Sequence, residues 1–370
     1  WESTFADYIA HQREMIALAR ANAADLDRIV DGNAPFELKP GGNYPPGKIK
    51  PYKRGVLLTH GLTDSPYFMR HLAAFFQNNG FRVMALLLPG HGTQPGDLLE
   101  VDWREWAKTV SFGADRLALE AEEIYLAGYS AGGILSVLQA LHDPRVRGLF
   151  LYSPAFKISP KAAWASVHQF YSWLVPSAKW VSVMPDRDIY KYESFPKNAA
   201  AQMYALTQEV GKQEHLHRLN IPVFAAVSDD DATADPAATL NFMMRMPHPH
   251  CKLVLYTRHG HKHTHGFPEE RLEQVNSALP AQKIISYAHT SIVLPPEDPH
   301  YGIHGDYSNC QHYYPDEMDK YNICLTRPGE VSQGEITEEN LEDWTLRRLM
   351  YNPHYAKLEQ SMKRFIDGLK

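Results

Sequence analysis

The sequence lacks a long apolar run and an excess of basic residues, and each absence bears on a class of structure or partner. No uninterrupted apolar run approaches the ~18 residues that would span a membrane. Its 37 Lys and Arg against 43 Asp and Glu give a formal net charge of −6, so no basic excess exists to neutralise a nucleic-acid backbone. We therefore expect no nucleic-acid partner. The chain begins at Trp1 rather than Met, so we expect that a preceding segment was removed. Localisation and contact with a membrane stay open.

Cysteine is scarce, with three residues in the chain. Cys310 and Cys324 stand in a loop-like stretch, where a disulfide would close a short loop and stabilise the fold by roughly 3 kcal/mol. Such a bond needs an oxidising compartment, so the alternatives are a disulfide or two free thiols. Cys251 opens a predicted strand, and we expect it to be a small core residue.

The 370 residues suit one large domain with insertions. From residue 55 onward, short apolar runs alternate with amphipathic stretches, and several runs are apolar throughout. This pattern is typical of strands buried on both faces of a parallel sheet that helices cover. The predicted strands are 55–59, 82–88, 123–128, 146–152, 222–227, 252–257 and 283–288, and the predicted helices include 66–79, 131–142 and 338–369.

Three regions are predicted along the chain. Residues 1–54 form an extension packed outside the core, because helical spacing over residues 1–30 gives way to a Pro- and Gly-rich stretch. The core comprises 55–154 and 221–370. Residues 155–220 are too long for one crossover helix and are rich in aromatic side chains, which favours a cap or lid over a site. Additional helical packing is the alternative for that insertion. Its aromatic residues are Trp164, Phe170, Tyr171, Trp173, Trp180, Tyr190 and Tyr192.

A nucleophile motif stands between a predicted strand and a predicted helix. Residues 128–132 read GYSAG, with Ser130 at the centre. The sharp reversal from strand to helix forces this serine into a strained backbone conformation, and the glycines two residues away avoid clashes. The hydroxyl then projects at the carboxyl end of the sheet, and the N–H of Ala131 points where an oxyanion would form. The pattern predicts a serine nucleophile; a turn serine between packing glycines is the alternative.

The loop after the first predicted strand is the candidate source of a second oxyanion donor. His60 and Gly61 end that strand, and the backbone N–H of Leu62 follows. Glycine at position 61 lets the backbone approach a substrate closely. We expect His60 to shape this loop rather than to titrate in catalysis.

Further runs carry a family resemblance together with the GYSAG motif. They are His60–Thr63, Pro89–Gly92 with Pro95 and Leu98, and Asp102–Trp106. The chain resembles bacterial carboxylesterases and monoacylglycerol lipases of the α/β-hydrolase superfamily, a serine aminopeptidase-like group. The resemblance is close over about residues 55–155 and looser to 235. It implies an α/β-hydrolase fold with a mostly parallel central sheet flanked by helices and a helical cap insertion, acting on small acyl esters without a cofactor.

The triad acid is expected after the strand that follows the cap, because α/β-hydrolases present serine, acid and histidine in that chain order. Residues 228–234 resemble the family's G-x-x-D-x-x-V, with Ser228 in the place of Gly and Ala234 in the place of Val. Matched in this way, the resemblance implies Asp231 as the acid, and Asp230 is the alternative.

The catalytic base has two candidates. His261 stands about 30 residues after Asp231 in a Gly-His pair, but among Lys and Arg in a predicted solvent loop. His289 ends the predicted strand 283–288, which favours a rigid position for a base. Its surroundings also resemble an esterase subgroup in which S-H-x-x-L-x-x-P-x-D-x-P-x-Y-G carries the histidine. We therefore assign His289 as the base, which makes residues 258–282 an insertion, and keep His261 as the alternative.

A metal site is a further hypothesis for the histidine-rich stretch. Its histidines alternate along the chain at His259, His261, His263 and His265. Alternate residues of an extended segment face one way, but no cysteine or carboxylate stands among these four to complete a zinc site. We predict no metal.

The predicted function is cleavage of carboxylic esters through an acyl-enzyme on Ser130. Two alternatives are peptide cleavage of the serine aminopeptidase kind and a non-catalytic binding protein on the same scaffold. An intact serine, a suitable acid and two candidate histidines argue against the binding protein. Acyl chain length, natural substrate and oligomeric state stay open.

Overall fold

The computed structural model describes residues 3–42, 49–158, 179–212, 219–260, 264 and 266–369. The chain divides into two compact units. The first unit comprises Trp1–Leu151 and Ser177–Pro222, and the second comprises Tyr152–Pro176 and Val223–Lys370. Across the described residues, every helix is too short or too polar to cross a membrane.

Helices and strands alternate along most of the chain. In chain order they are α1 (Phe5–Ala19), α2 (Leu26–Asn33), β1 (Phe36–Leu38), β2 (Tyr52–Thr59), α3 (Arg70–Asn78), β3 (Phe81–Leu86), α4 (Trp103–Glu120), β4 (Ala121–Tyr129), α5 (Ala131–His142), β5 (Val146–Tyr152), β6 (Trp180–Ser182), β7 (Phe195–Pro196), α6 (Lys197–Gly211), β8 (Val223–Ser228), α7 (Pro236–Arg245), β9 (Cys251–Thr257), β10 (Leu272–Asn276), α8 (Met318–Thr326), β11 (Ser332–Gly334), α9 (Glu338–Asp343), β12 (Leu346–Arg348) and α10 (Tyr355–Asp367).

The sheet of the first unit has the strand order β1-β3-β2-β4-β5. Strand β2 pairs in parallel with β3 and β4, and the apolar residues of all three are buried, as the unbroken apolar runs predict. Thr59 lies opposite Gly128 in this register. The carboxyl ends of β2 and β4 therefore lie side by side, so the loop after Thr59 is next to the turn after Tyr129.

The N-terminal region departs from the prediction. Residues 1–30 were expected to form one helix outside the core, whereas two helices, α1 and α2, are separated by a turn. Strand β1 then pairs antiparallel with β3, so residues 1–54 contribute an edge strand to the sheet. Helix α1 is tied to the same region because the Tyr8 hydroxyl donates to the carbonyl of Leu87 at 2.6 Å and accepts from its N–H. Pairing with an otherwise open strand edge explains why this segment lies closer to the core than predicted.

The insertion 155–220 is described only in part. Residues 159–178 and 213–218 lie outside the described residues, and with them Trp164, Phe170, Tyr171 and Trp173. Residues 179–212 belong to the first unit and contain β6, β7 and α6. A cap over 155–220 therefore stays a prediction.

In the second unit, β9 pairs in parallel with both β8 and β10. The prediction of a strand at 283–288 is wrong: Ile284 makes only isolated bridges, to Leu279 and Gln333, and the last strand of the sheet is β10. Most residues of β10 are partly exposed, and its sequence LEQVN contains both apolar and polar residues. The pattern of unbroken apolar runs therefore did not predict this strand. Residues 258–282 thus include a sheet strand and are more than an insertion.

The C-terminal prediction also needs correction, since residues 338–369 form α9, β12 and α10 rather than one helix. Strand β12 pairs in parallel with β11. Beside β12, Cys310 and Cys324 form a disulfide with their Cα atoms 6.0 Å apart. The third cysteine, Cys251, is free and buried at the start of β9, as expected.

Candidate active site

Ser130 occupies a strained turn between β4 and α5. Its backbone angles are φ 54° and ψ −116°, a region that residues with a side chain rarely adopt. The flanking glycines are sterically required, because a Cβ on Gly128 would lie 2.1 Å from the carbonyl oxygen of Gly132. A Cβ on Gly132 would lie 2.1 Å from the carbonyl oxygen of Thr59. The local geometry is that of a nucleophile elbow.

The loop that carries Leu62 lies against this elbow. A Cβ added to Gly61 would lie 3.0 Å from the Cβ of Ser130 and 2.4 Å from Oδ2 of Asp64, so the absence of a side chain at residue 61 lets the loop pack closely against the elbow. Ala131 is the first residue of α5, where backbone N–H groups have no partner within the helix. The structure thus brings together the elbow serine and the two backbone segments predicted to bind an oxyanion.

Two buried histidines hold the Leu62 loop in place. Nδ1 of His60 donates to the carbonyl of Gly61 at 2.8 Å, and its Nε2 accepts the N–H of Leu88 at 3.0 Å. Nε2 of His91 accepts the N–H of Thr63 at 3.1 Å. Burial lowers the pKa of His60 well below its usual value and that of His91 to about 4. His60 therefore shapes the loop as a neutral ring, and His91, part of the PGHG run, is a partner that the sequence did not reveal.

The segment around Lys191, within the predicted cap, also contacts this loop. The ammonium of Lys191 donates to the hydroxyl of Thr63 at 2.9 Å and forms an ion pair with Asp64, whose side chain is 2% exposed. The N–H of Tyr192 donates to the carbonyl of Thr63 at 2.8 Å. Thr63 has a positive φ of 66°, a strained conformation that these contacts help to hold. No local pattern indicates this arrangement, because Lys191 and Asp64 are 127 residues apart in the chain.

In the second unit, Asp231 and His289 form a buried pair. Nδ1 of His289 lies 2.6 Å from Oδ2 of Asp231, and the two side chains are 6% and 2% exposed. Oδ1 of Asp231 accepts the backbone N–H groups of Thr233 and Ala234, each at 2.8 Å. A carboxylate only accepts, so Nδ1 is the donor and Nε2 carries the basic lone pair in this tautomer.

The alternative acid, Asp230, has a different partner. Its carboxylate lies 2.9 Å from Nε of Arg258, and burial raises its pKa. The structure therefore brings Asp231, rather than Asp230, to His289. Ser228, where the family pattern has glycine, donates its hydroxyl to the carbonyl of Tyr287 at 2.8 Å and so ties the end of β8 to the segment that leads to His289.

The alternative base, His261, belongs to the histidine-rich stretch 259–265. His261, His263 and His265 lie outside the described residues. Within the part of the chain that the structure describes, no group of three His, Cys, Asp or Glu side chains is arranged to hold a metal ion.

Comparison with known proteins decides the family. Residues 50–265, more than half of the chain, match the family described as Serine aminopeptidase, S33. The chain belongs to this family. The resemblance drawn from His60–Thr63, Pro89–Gly92 and the GYSAG motif is confirmed, and so is the α/β-hydrolase fold, whose parallel strands and elbow are described above.

Individual proteins are similar to this chain over shorter stretches. The thermostable monoacylglycerol lipase of Bacillus sp. (strain H-257) is 30% identical over 182 residues, which cover 49% of this chain and 72% of that protein. A carboxylesterase of Bacillus subtilis (strain 168) is 32% identical over 93 residues, covering 25% of this chain and 38% of that protein. The solved structure of Paleococcus ferrophilus monoacylglycerol lipase matches with a TM-score of 0.45 at 19% identity, over 56% of this chain and 86% of that chain.

Proposed function

We propose that this chain is a serine hydrolase that cleaves carboxylic esters through an acyl-enzyme on Ser130, with His289 as general base and Asp231 as the acid that orients it. The observation that carries the proposal is the buried Asp231–His289 pair. A serine hydroxyl is a weak nucleophile until a positioned base accepts its proton. An oriented histidine–aspartate pair in a chain that also has a strained serine elbow supports this chemistry.

In the proposed mechanism, the Ser130 oxygen attacks the acyl carbon while its proton passes to Nε2 of His289. Asp231 stabilises the imidazolium that forms. The N–H groups of Leu62 and Ala131 donate to the oxyanion of the tetrahedral intermediate, and losing one such donor can cost about 3 kcal/mol. Collapse of this intermediate expels the alcohol, which takes the proton from His289. Water, activated by the same histidine, then attacks the acyl-enzyme and releases the acid.

Esters are the proposed substrates because the two curated relatives named above are a monoacylglycerol lipase and a carboxylesterase. The family description names an aminopeptidase instead, and this keeps peptide cleavage as a second candidate. Both reactions use the same nucleophile, base and oxyanion donors, so a substrate panel is needed to separate them.

The experiment compares p-nitrophenyl esters of increasing acyl length with amino-acid p-nitroanilides, together with labelling by a fluorophosphonate probe. We expect the wild type to cleave the esters and to be labelled, and Ser130→Ala to lose both properties. Ser111→Ala, which changes a half-buried serine on α4 of the same unit, is the matched control and should behave as the wild type. Turnover that persists in Ser130→Ala would refute the mechanism, and cleavage of anilides alone would assign a peptidase.

The same assay tests the base. We expect His289→Ala to lose ester turnover and His261→Ala to keep it. The opposite ranking would move the role of general base to His261.

A further inference from the structure

Glu335, directly after β11, is a fully buried carboxylate that contacts both predicted acid–base loops. Its side chain is 0% exposed. Oε2 accepts the backbone N–H of His289 at 2.8 Å and that of Ala232, the neighbour of Asp231, at 3.2 Å. A single oxygen atom therefore joins the main chain at the base to the main chain beside the acid.

A cation and further donors compensate the charge of Glu335. Oε1 accepts from Nε of Arg348 at 3.0 Å and from the N–H of Ile336 at 2.8 Å. Nη2 of Arg348 also donates to the hydroxyl of Thr233, in the turn that carries Asp231, at 2.8 Å. A buried carboxylate persists as an ion only when it is paired and hydrogen-bonded in this way. The Glu335 carboxylate thus contacts both loops, and its counter-ion, Arg348, contacts the turn that carries Asp231.

The backbone around Glu335 is itself fixed. Its N–H donates to the hydroxyl of Ser286 at 3.0 Å, and its carbonyl accepts from the side chain of Asn340 at 2.9 Å. The preceding residue, Gly334, pairs with Arg348 across β11 and β12. The carboxylate therefore extends from a rigid support rather than from a loose loop.

His289 depends on such support because it does not lie on a strand. It begins a short 3₁₀ turn, so its N–H is held by the Glu335 side chain where a sheet partner would otherwise hold it. Asp231 fixes the rotation of the imidazole through Nδ1. Glu335 fixes the position of the backbone from which that imidazole extends. Proton transfer is sensitive to such placement, since a shift of 1 Å can lower a rate about 100-fold.

We propose that Glu335 is a positioning residue for the reaction, and that it sets the geometry and the electrostatic environment of the Asp231–His289 pair. The inference rests on the proposed function, because it assigns His289 as the base. Glu335 touches no substrate in this proposal and acts through His289 and the Asp231 turn.

The test uses the full-length enzyme and the best p-nitrophenyl ester. Glu335→Gln keeps the size of the side chain, removes its charge and turns one oxygen into an amide donor. We expect kcat to fall about tenfold or more with KM within about twofold. We also expect the acid limb of kcat/KM to move to lower pH, because loss of a nearby negative charge disfavours protonated His289. A role confined to folding would leave that limb in place.

Two further variants make the test decisive. Glu335→Asp keeps the charge but is too short to reach both N–H groups, so we expect a reduced kcat and the acid limb of the wild type. Glu330→Gln makes the same change at an exposed glutamate, whose partner is Arg327, and should match the wild type in both readouts. Circular dichroism and thermal melting establish that each variant is folded.

A folded Glu335→Gln with the kcat and the acid limb of the wild type would overturn the inference. Should Glu335→Gln not fold, an unchanged kcat in Glu335→Asp would overturn it instead. Failure of the proposed function is a separate result, because it would appear as an inactive wild type or an active Ser130→Ala before any variant of Glu335 is considered.

Discussion

The Nδ1 atom of His289 lies 2.6 Å from one carboxylate oxygen of Asp231, and the other oxygen of that carboxylate is held by two backbone N–H groups. The aspartate is therefore fixed before it orients the imidazole. Because the two residues are 58 positions apart in the chain, the pair depends on tertiary structure rather than on a local motif.

Substitution of the acid should reduce catalysis strongly. In Asp231→Asn, an amide nitrogen can face Nδ1 of His289, so the imidazole takes the wrong tautomer. We expect kcat for a p-nitrophenyl ester to fall about 10³- to 10⁴-fold. Asp230→Asn is the matched control, since Asp230 pairs with Arg258 and should retain kcat within a few-fold. If Asp230→Asn were the inactive variant, the acid would have to be reassigned.

The ion pair of Lys191 with Asp64 should matter for stability and for turnover. Lys191→Met leaves the buried Asp64 carboxylate without its cation, which we expect to cost about 3 kcal/mol in the free energy of unfolding. It also releases the hydroxyl of Thr63, beside Leu62, so kcat should fall.

The double variant Lys191→Met/Asp64→Asn serves as the control for that prediction. It removes both charges and should recover much of the lost stability in urea unfolding. Equal losses in the single and double variants would show that the two charges are not coupled.

Reduction of the disulfide should destabilise the fold. The Cys310–Cys324 bond spans 14 positions, for which loop closure predicts roughly 3 kcal/mol. Dithiothreitol should lower the Tm of the wild type and leave that of Cys310→Ser/Cys324→Ser unchanged. Cys251→Ser, which alters the buried free thiol, should keep the response to dithiothreitol. A wild-type Tm that does not respond would contradict the prediction.

Acid should destabilise the protein through its buried neutral histidines. The pKa of His91 is lowered to about 4, below its value of about 6.5 in the unfolded chain, so the unfolded state binds this proton first. The contribution of His91 to stability is complete above pH 6.5 and is lost as the pH falls toward 4. The loss is about 1.4 kcal/mol per pH unit. His60 acts in the same direction.

The measurement is urea unfolding at pH 7.5, 6 and 5 for the wild type and His91→Gln. The variant, which cannot take up this proton, should be less stable at pH 7.5 but lose stability with a shallower slope on acidification. Identical slopes in the two proteins would exclude His91 as a source of the pH dependence.

The sequence predicted those parts of the fold that depend on local patterns. Unbroken apolar runs located β2 to β5, β8 and β9, because strands buried on both faces carry little else. Strand β10 was missed because its residues are polar on the more exposed side. The segment 283–288 was mistaken for a strand because Ile284, Tyr287 and Ala288 are buried among loops rather than within a sheet.

In the candidate site, too, the residues within local sequence patterns were predicted and those held only by tertiary contacts were not. The strain at Ser130 follows from the GYSAG pattern itself, and the run around His289 pointed to a histidine that the structure places beside Asp231. Glu335 carried no such signal. Its contacts reach back 46 residues to His289 and 103 residues to Ala232, and a lone glutamate in a polar stretch is ordinarily solvated.

Strand β1 has only three residues, yet it occupies the outer edge of β3. A chain trimmed to start at residue 50, where the family match begins, would leave the backbone donors and acceptors of β3 bare. Open strand edges are templates on which protein chains assemble edge to edge. Because β1 covers this edge, we expect a protein that lacks residues 1–49 to aggregate where the full chain does not, which light scattering would measure.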